Sequence, residues 1–281
     1  TTIVNLWYFQ GTDDAGFRRR TGQLVSQLDV GSESAPALAD LDGDGDLDLL
    51  VANKIEPGDR RTSRLFLFEN TGTRRAPALR ARGAFPLGGR YHMSPAAGDL
   101  DGDGDPDLVL GAFGSSLALV RNDGGTLRLV DSALVTIPRG SNTMPALGDL
   151  DGDGDLDLLV GEASGGLNHY RNDGTRAAPV FTLVSETFQE IRPGRRSAPH
   201  LADLDGDGDL DLLVGTDEAG LALFRNDGTA AMPRFVRDTA FALDVPSLAT
   251  PVVGDLDGDG RAELLLGGNG GGVRYFSRGG R

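Results

Sequence analysis

Carboxylates recur at alternate positions in five stretches of this 281-residue chain. The first holds Asp40, Asp42, Asp44, Asp46 and Asp48, and the second Asp99, Asp101, Asp103, Asp105 and Asp107. The third holds Asp149, Asp151, Asp153, Asp155 and Asp157, and the fourth Asp203, Asp205, Asp207, Asp209 and Asp211. The fifth reads Asp255, Asp257, Asp259, Arg261 and Glu263. Like charges packed this densely repel one another unless a cation lies among them. Oxygen-only donors select a hard divalent ion, calcium before magnesium. Carboxylates at loop positions 1, 3 and 5 can converge as the chain curls. Glycine at position 6 permits the turn, position 7 offers a main-chain carbonyl, and position 9 closes the site. The expectation is about five calcium ions, one per loop. A carbonyl at position 7 explains why Arg261 is tolerated there, and Glu263 predicts a different geometry at position 9. Pro106 biases Asp105 toward extended backbone, which suits entry into a strand.

An EF-hand needs a bidentate glutamate at loop position 12 and flanking helices. Position 12 here is Val51, Leu110, Val160, Val214 and Leu266, all aliphatic, so that reading is rejected. The formal charge is −15, and the five loops hold more than half of the 42 acidic residues. The acidity therefore belongs to the loops and argues against nucleic acid as a partner. There is no cysteine, which excludes disulfides, thiolate catalysis and cysteine zinc sites. No apolar run reaches the ~18 residues of a membrane helix. Lys54 is the only lysine among 27 basic residues, which codon bias in a GC-rich genome explains. The chain opens Thr-Thr-Ile with no signal-peptide pattern, which suits a processed mature protein or a piece of a longer one.

The acidic loops recur roughly every 50 residues, a period that marks a propeller or solenoid. Each unit reads alike. A short segment with proline near its start (Pro36, Pro95, Pro145, Pro199, Pro251) enters the loop, and a doubly apolar strand such as the one predicted over 47–51 leaves it. A third strand follows and ends in Asn-Asp-Gly or Asn-Thr-Gly turn signals, and a fourth, outer strand completes the unit. The fold class expected is all-β: a propeller of about five four-stranded antiparallel blades, with the acidic loop between first and second strands. The chain reads as one domain, 1–281, with units at about 1–30 (partial), 31–90, 91–140, 141–196, 197–247 and 248–281 (partial). The tally gives one strand too many. A segment over 17–28 can serve as a fourth strand for the last blade and close the ring, leaving Ile3–Phe9 or Val273–Phe276 surplus. A surplus strand lies on a blade edge or pairs with a second molecule, a homo-oligomer through Ile3–Phe9.

The loops follow D-x-D-x-D-G-x-x-D across all five units, and in this the chain resembles the FG-GAP/VCBS repeats of integrin-α-type propellers. The resemblance implies calcium that stabilises the blades and does not catalyse. Rings of that family commonly have seven blades, so five motifs depart from its pattern. A ligand surface is expected on the opposite face, in the second-to-third connections (53–63, 112–116, 162–165, 216–219 and 268–271) and the fourth-to-first ones (88–94, 140–143, 192–197 and 244–249), which differ among units. Arg90, Tyr91 and His92 form a polar-aromatic cluster there, which reads first as an ordinary solvated loop and second as a carbohydrate contact. His169 reads as packed in a strand, and His200 as facing the central channel. No catalytic motif is recognised, so the leading expectation is a non-catalytic recognition or adhesion module, binding glycan or protein. A structural subunit of an extracellular assembly and a polysaccharide-active enzyme rank below it. An extracellular or cell-surface setting, bacterial or archaeal, is expected, with neither nucleic acid nor a membrane span.

Overall fold

The computed structural model describes residues 7–12, 16–20, 30–55, 62–85, 90–243, 245 and 247–277, the first two segments as backbone only. Residues 3–6 of the Ile3–Phe9 strand and most of the expected strand over 17–28 lie outside these. The described residues form five sheets. Blade 1 runs Ala35–Ala39, Asp48–Ala52, Leu65–Asn70, Leu79–Phe85, from the axis outward. Blade 2 runs Ser94–Gly98, Asp107–Gly111, Ser116–Asp123, Thr126–Thr136. Blade 3 runs Met144–Gly148, Asp157–Gly161, Leu167–Asn172, Phe181–Ser185, and blade 4 runs Ala198–Ala202, Asp211–Gly215, Leu221–Asn226, Phe235–Arg237. The second strands begin one residue later than the apolar pattern suggests, because the ninth loop residue already pairs, as in Ala39 with Asp48.

Blade 5 shows how the ring closes. Thr250–Gly254, Glu263–Gly267 and Arg274–Ser277 are antiparallel, but the fourth place belongs to Trp7–Thr12, which runs parallel to Arg274–Ser277. Gly16–Arg20 pairs antiparallel with Trp7–Thr12 and also meets Arg274–Ser277 through Arg18 and Ser277, making the sheet five-stranded. Both terminal segments are thus used within one chain, and the extra strand lies on the outer edge of its own last blade.

The second strands carry apolar residues on both faces because each sheet is covered on both sides. Leu49, Leu50, Val51, Leu158, Leu159 and Val160 are fully buried. Five apolar clusters sit between successive blades. Leu50, Leu65, Leu110 and Val120 join blades 1 and 2, and Val51, Phe68, Leu265 and Tyr275 join blades 5 and 1, so the ring has no open side. Close approach of backbones sets the remaining requirement. A Cβ on Gly161 would lie 2.1 Å from the Ser197 carbonyl of the next blade, and one on Gly267 would lie 2.2 Å from that of Ser34. At these two junctions only glycine fits where the strand end meets the next blade's entry. The innermost strands line an axial channel of about 200 Å³.

Candidate functional site: the acidic loops and the mouth of the axial channel

At one end of the ring, the five acidic loops each gather three carboxylates whose oxygens lie within 4.8 Å of one another. Positions 1, 3 and 5 converge in three copies: Asp40, Asp42 and Asp44; Asp203, Asp205 and Asp207; Asp255, Asp257 and Asp259. Positions 1, 3 and 9 converge in the other two: Asp99, Asp101 and Asp107; Asp149, Asp151 and Asp157. Asp46, Asp48, Asp103, Asp105, Asp153, Asp155, Asp209, Asp211, Arg261 and Glu263 stand outside these triplets. Several loop carboxylate oxygens are buried with no donor facing them: Asp46 Oδ1, Asp151 Oδ1, Asp209 Oδ1 and Asp255 Oδ1. Acceptors stranded this way fit a cation, which satisfies them as no other group in the loops does.

Position 9 has a structural task that its sequence pattern does not reveal. Asp48 accepts the Leu41 N–H at 3.1 Å and the Asn70 N–H at 2.8 Å, tying the loop to the third strand. Asp157 does the same with Leu150 at 3.0 Å and Asn172 at 2.8 Å. Glu263 accepts from Leu256 at 2.8 Å and is as buried as the aspartates. Burial, with neighbouring carboxylates adding to it, pushes Asp48 and Asp157 up to about 6 and Glu263 to about 8. These groups sit in a site built for a positive charge.

At the opposite end, the channel mouth is ringed by one residue from each blade: Glu33, His92, Asn142, Arg196 and Leu248. Each stands three positions before the proline of an innermost strand. Among the described residues seven non-glycine positions have positive φ, and five of them are these, between 48° and 59°. Left-handed backbone is costly for such side chains, at about 1–3 kcal/mol each, and persists where its surroundings enforce it. Here the turn passes a main-chain N–H to the preceding blade: His92 to the Lys54 carbonyl (3.2 Å), Asn142 to Phe113 (3.0 Å) and Arg196 to Ala163 (3.2 Å).

The side chains meet over the channel. Glu33 accepts from Lys54 Nζ at 2.5 Å and Arg196 Nη2 at 2.6 Å, and His92 Nε2 lies 3.2 Å from it. His92 Nδ1 lies 2.8 Å from Asn142 Oδ1, so each ring nitrogen faces an oxygen acceptor. Burial alone would raise the Glu33 pKa, but hydrogen bonds from His92, Lys54 and Arg196 outweigh it and pull it to about 2. Arg196 Nε is buried without a partner. Tyr91 and Phe113 pack edge to face at 5.4 Å beside this group, and Phe113 is 53% exposed.

The cluster expected at Arg90, Tyr91 and His92 is therefore divided. Arg90 turns away to donate to the Ser132 carbonyl at 2.9 Å, on the outer strand of its own blade. His92 joins Glu33, and Tyr91 joins Phe113. His169 is packed, its ring 5.0 Å from Phe188 and its pKa lowered to about 4 by burial. His200 lines the channel, where its Nε2 accepts the Val253 N–H at 3.0 Å. Glu33, Lys54, Asn142 and Arg196 escape a motif search, since each comes from a different loop. The offset that Glu33, Asn142 and Arg196 share with His92 from the five prolines is the signal that points to all but Lys54.

Comparison with known proteins bears first on the loops. A family described as the FG-GAP-like repeat matches residues 40–110, 99–160, 149–214 and 203–266, each match running from one acidic loop through the next blade's second strand. The chain belongs to the FG-GAP-like repeat family. A stretch of 92 residues of this FG-GAP-like propeller is 38% identical to human integrin alpha-IIb, covering 32% of the chain and 9% of that protein. Among solved structures, a GH43_1 enzyme from Xanthomonas citri superposes with a TM-score of 0.53 at 14% identity, over 90% of this chain and 88% of that one. At that identity the likeness speaks for the shared fold. It nevertheless overturns the sequence reading of a non-catalytic recognition or adhesion module. An enzyme is built on a similar ring, so the architecture gives no ground for excluding catalysis, and the channel mouth holds acid–base groups that sequence reasoning did not assemble. Among the described residues no helix is long and apolar enough to cross a membrane.

Proposed function

We propose that this FG-GAP-like propeller is a polysaccharide-active enzyme whose site is the channel mouth, with calcium in the acidic loops stabilising the ring from the other face. The observation that carries the reading is the Glu33–Lys54–His92–Asn142–Arg196 group, four of whose members stand on left-handed turns from four blades. Its parts suit glycan chemistry. Glu33, ionised down to about pH 2, supplies a fixed negative charge opposite a sugar ring that becomes cationic as its glycosidic bond breaks. His92, oriented through Asn142, is the proton-transfer group. Arg196 Nε is a buried donor for a sugar oxygen, and the Tyr91–Phe113 pair offers an aromatic face for sugar C–H groups. The enzyme on a similar ring supports the class of activity. About five calcium ions, one per loop, would be held by the converging carboxylates, the stranded oxygens and position 7 carbonyls, neutralising charge and fixing loop shape. An extracellular setting, where calcium is millimolar, suits such a protein.

The test is release of new reducing ends from a panel of soluble polysaccharides by the calcium-loaded protein, with Glu33→Gln and His92→Ala as controls. Turnover that falls by about a hundredfold or more in either variant supports the site. Turnover indifferent to both would move the chemistry elsewhere, and none on any substrate would remove the enzyme reading.

A further inference from the structure

The five acidic loops repeat in sequence, but their electrostatic surroundings do not. One position of the third strand, directly after its last large apolar residue, differs in type among the blades: Glu69, Arg121, Arg171, Arg225 and Ser277. In blade 2 Arg121 Nη1 contacts Asp107 Oδ2 and lies 3.3 Å from Asp101 Oδ2. In blade 4 Arg225 Nη1 lies 2.6 Å from Asp211 Oδ2 and 3.4 Å from Asp205 Oδ2. Each guanidinium bridges positions 3 and 9 of its loop, and these side chains are only 15% and 25% exposed. In blade 3 Arg171 turns outward to pair with Asp173 at 2.6 Å and acts on Asp151 of its loop only as a more distant charge. In blade 1 the position is acidic, and Glu69 pairs with Arg82.

Other cations near the loops are of a different kind. Arg176 reaches Asp99 at 2.8 Å and Arg74 reaches Asp255 at 3.3 Å, both from the neighbouring blade and both more than 60% exposed, so solvent and salt screen them. Arg261 in the fifth loop is likewise exposed. Among the described residues, only Arg121 and Arg225 are seen to place a sheltered positive charge against two carboxylates of one loop.

We infer that Arg121 and Arg225 are built-in counter-ions that divide the five loops into two classes, tight calcium sites in blades 1, 3 and 5 and weak ones in blades 2 and 4. The inference rests on the calcium reading given above. A unit charge held a few ångströms from a divalent ion, with two of its carboxylate oxygens already engaged, opposes binding even at the dielectric of water. The consequence is graded dependence on calcium. As the ion is withdrawn, blades 2 and 4 lose it first yet keep their loops partly neutralised, while blades 1, 3 and 5 hold theirs longest.

Calorimetric titration of calcium into chelator-stripped full-length protein tests this. The wild type should show two weak sites, separable from the rest by about tenfold or more in Kd. Arg121→Met with Arg225→Met should move those two into the tight class, whereas Arg121→Lys with Arg225→Lys should leave them weak. Circular dichroism confirms that each variant is folded. Five equivalent sites in the wild type, or a weak class that survives the methionine substitutions, overturns the inference while leaving the calcium reading intact. Absence of any calcium binding overturns both.

Discussion

Replacing Gly161 by alanine should damage both the ring and the channel mouth. A Cβ there would lie 2.1 Å from the Ser197 carbonyl oxygen, 2.8 Å from its carbon and 2.7 Å from Pro199 Cδ. These are backbone and ring atoms that cannot rotate aside, so blades 3 and 4 must part by more than 1 Å, judged against ordinary contacts of about 3.5 Å. Overpacking of this kind costs about 1–3 kcal/mol. Parting the blades also stretches the bonds from Ser197 N to Glu162 O (3.2 Å) and from Glu162 N to Ser197 Oγ (3.1 Å), adding about 1 kcal/mol for each. A total near 4 kcal/mol lowers the melting temperature by about 8–16 °C in a chain of this size. The same movement displaces the adjoining Arg196 from Glu33, so turnover should fall by more than the loss of folded protein explains, while the acidic loops keep their calcium affinity. Blade 1 supplies the control. It has Ala52 at this position, fully buried, so Ala52→Gly adds no clash and should cost about 1 kcal/mol or less. Melting of Gly161→Ala within about 1 °C of wild type, with unchanged turnover, would refute the argument.

Asp157→Asn, in calcium, should lower the melting temperature by about 6–10 °C, because an amide cannot accept both the Leu150 and Asn172 N–H groups; thermal melts in calcium and in chelator should also show a smaller gap between the two than wild type does. Glu33 gives a pH signature. Its pKa of about 2 lies below its unfolded value, so its contribution is complete above about pH 4.5 and is lost as pH falls toward 2; the stability difference between wild type and Glu33→Gln, read from urea titrations, should shrink over that window and stay flat above it. Deleting residues 1–20 removes both outer strands of blade 5 and bares the edge of Arg274–Ser277. Light scattering should find this variant aggregating, and a stable monomer with the wild-type melting temperature would contradict the closure.

The acidic loops and the blade count are legible in the chain because each depends on a few contiguous residues repeated five times. The strand pattern carries as far as blade 4 for the same reason. Blade 5 is less legible. Parallel pairing of Trp7–Thr12 with Arg274–Ser277 joins segments from opposite ends of the chain, and no local turn signal records it. The channel mouth is legible only in part. The expected ligand-face connections contain Lys54, His92, Asn142 and Arg196, but Glu33 lies outside them and meets Arg196, 163 positions away, only through the ring. The division between Asp48, tied to the third strand, and Asp44, exposed in the loop, likewise follows from burial and not from residue type.

Comparing the rate at which calcium-loaded wild type and Glu33→Gln generate reducing ends from soluble polysaccharides tests the central claim most directly. The account predicts turnover by the wild type and a loss of about a hundredfold or more in the variant at equal folded fraction. Wild-type turnover in Glu33→Gln, or no turnover by either protein on any polysaccharide, would contradict it.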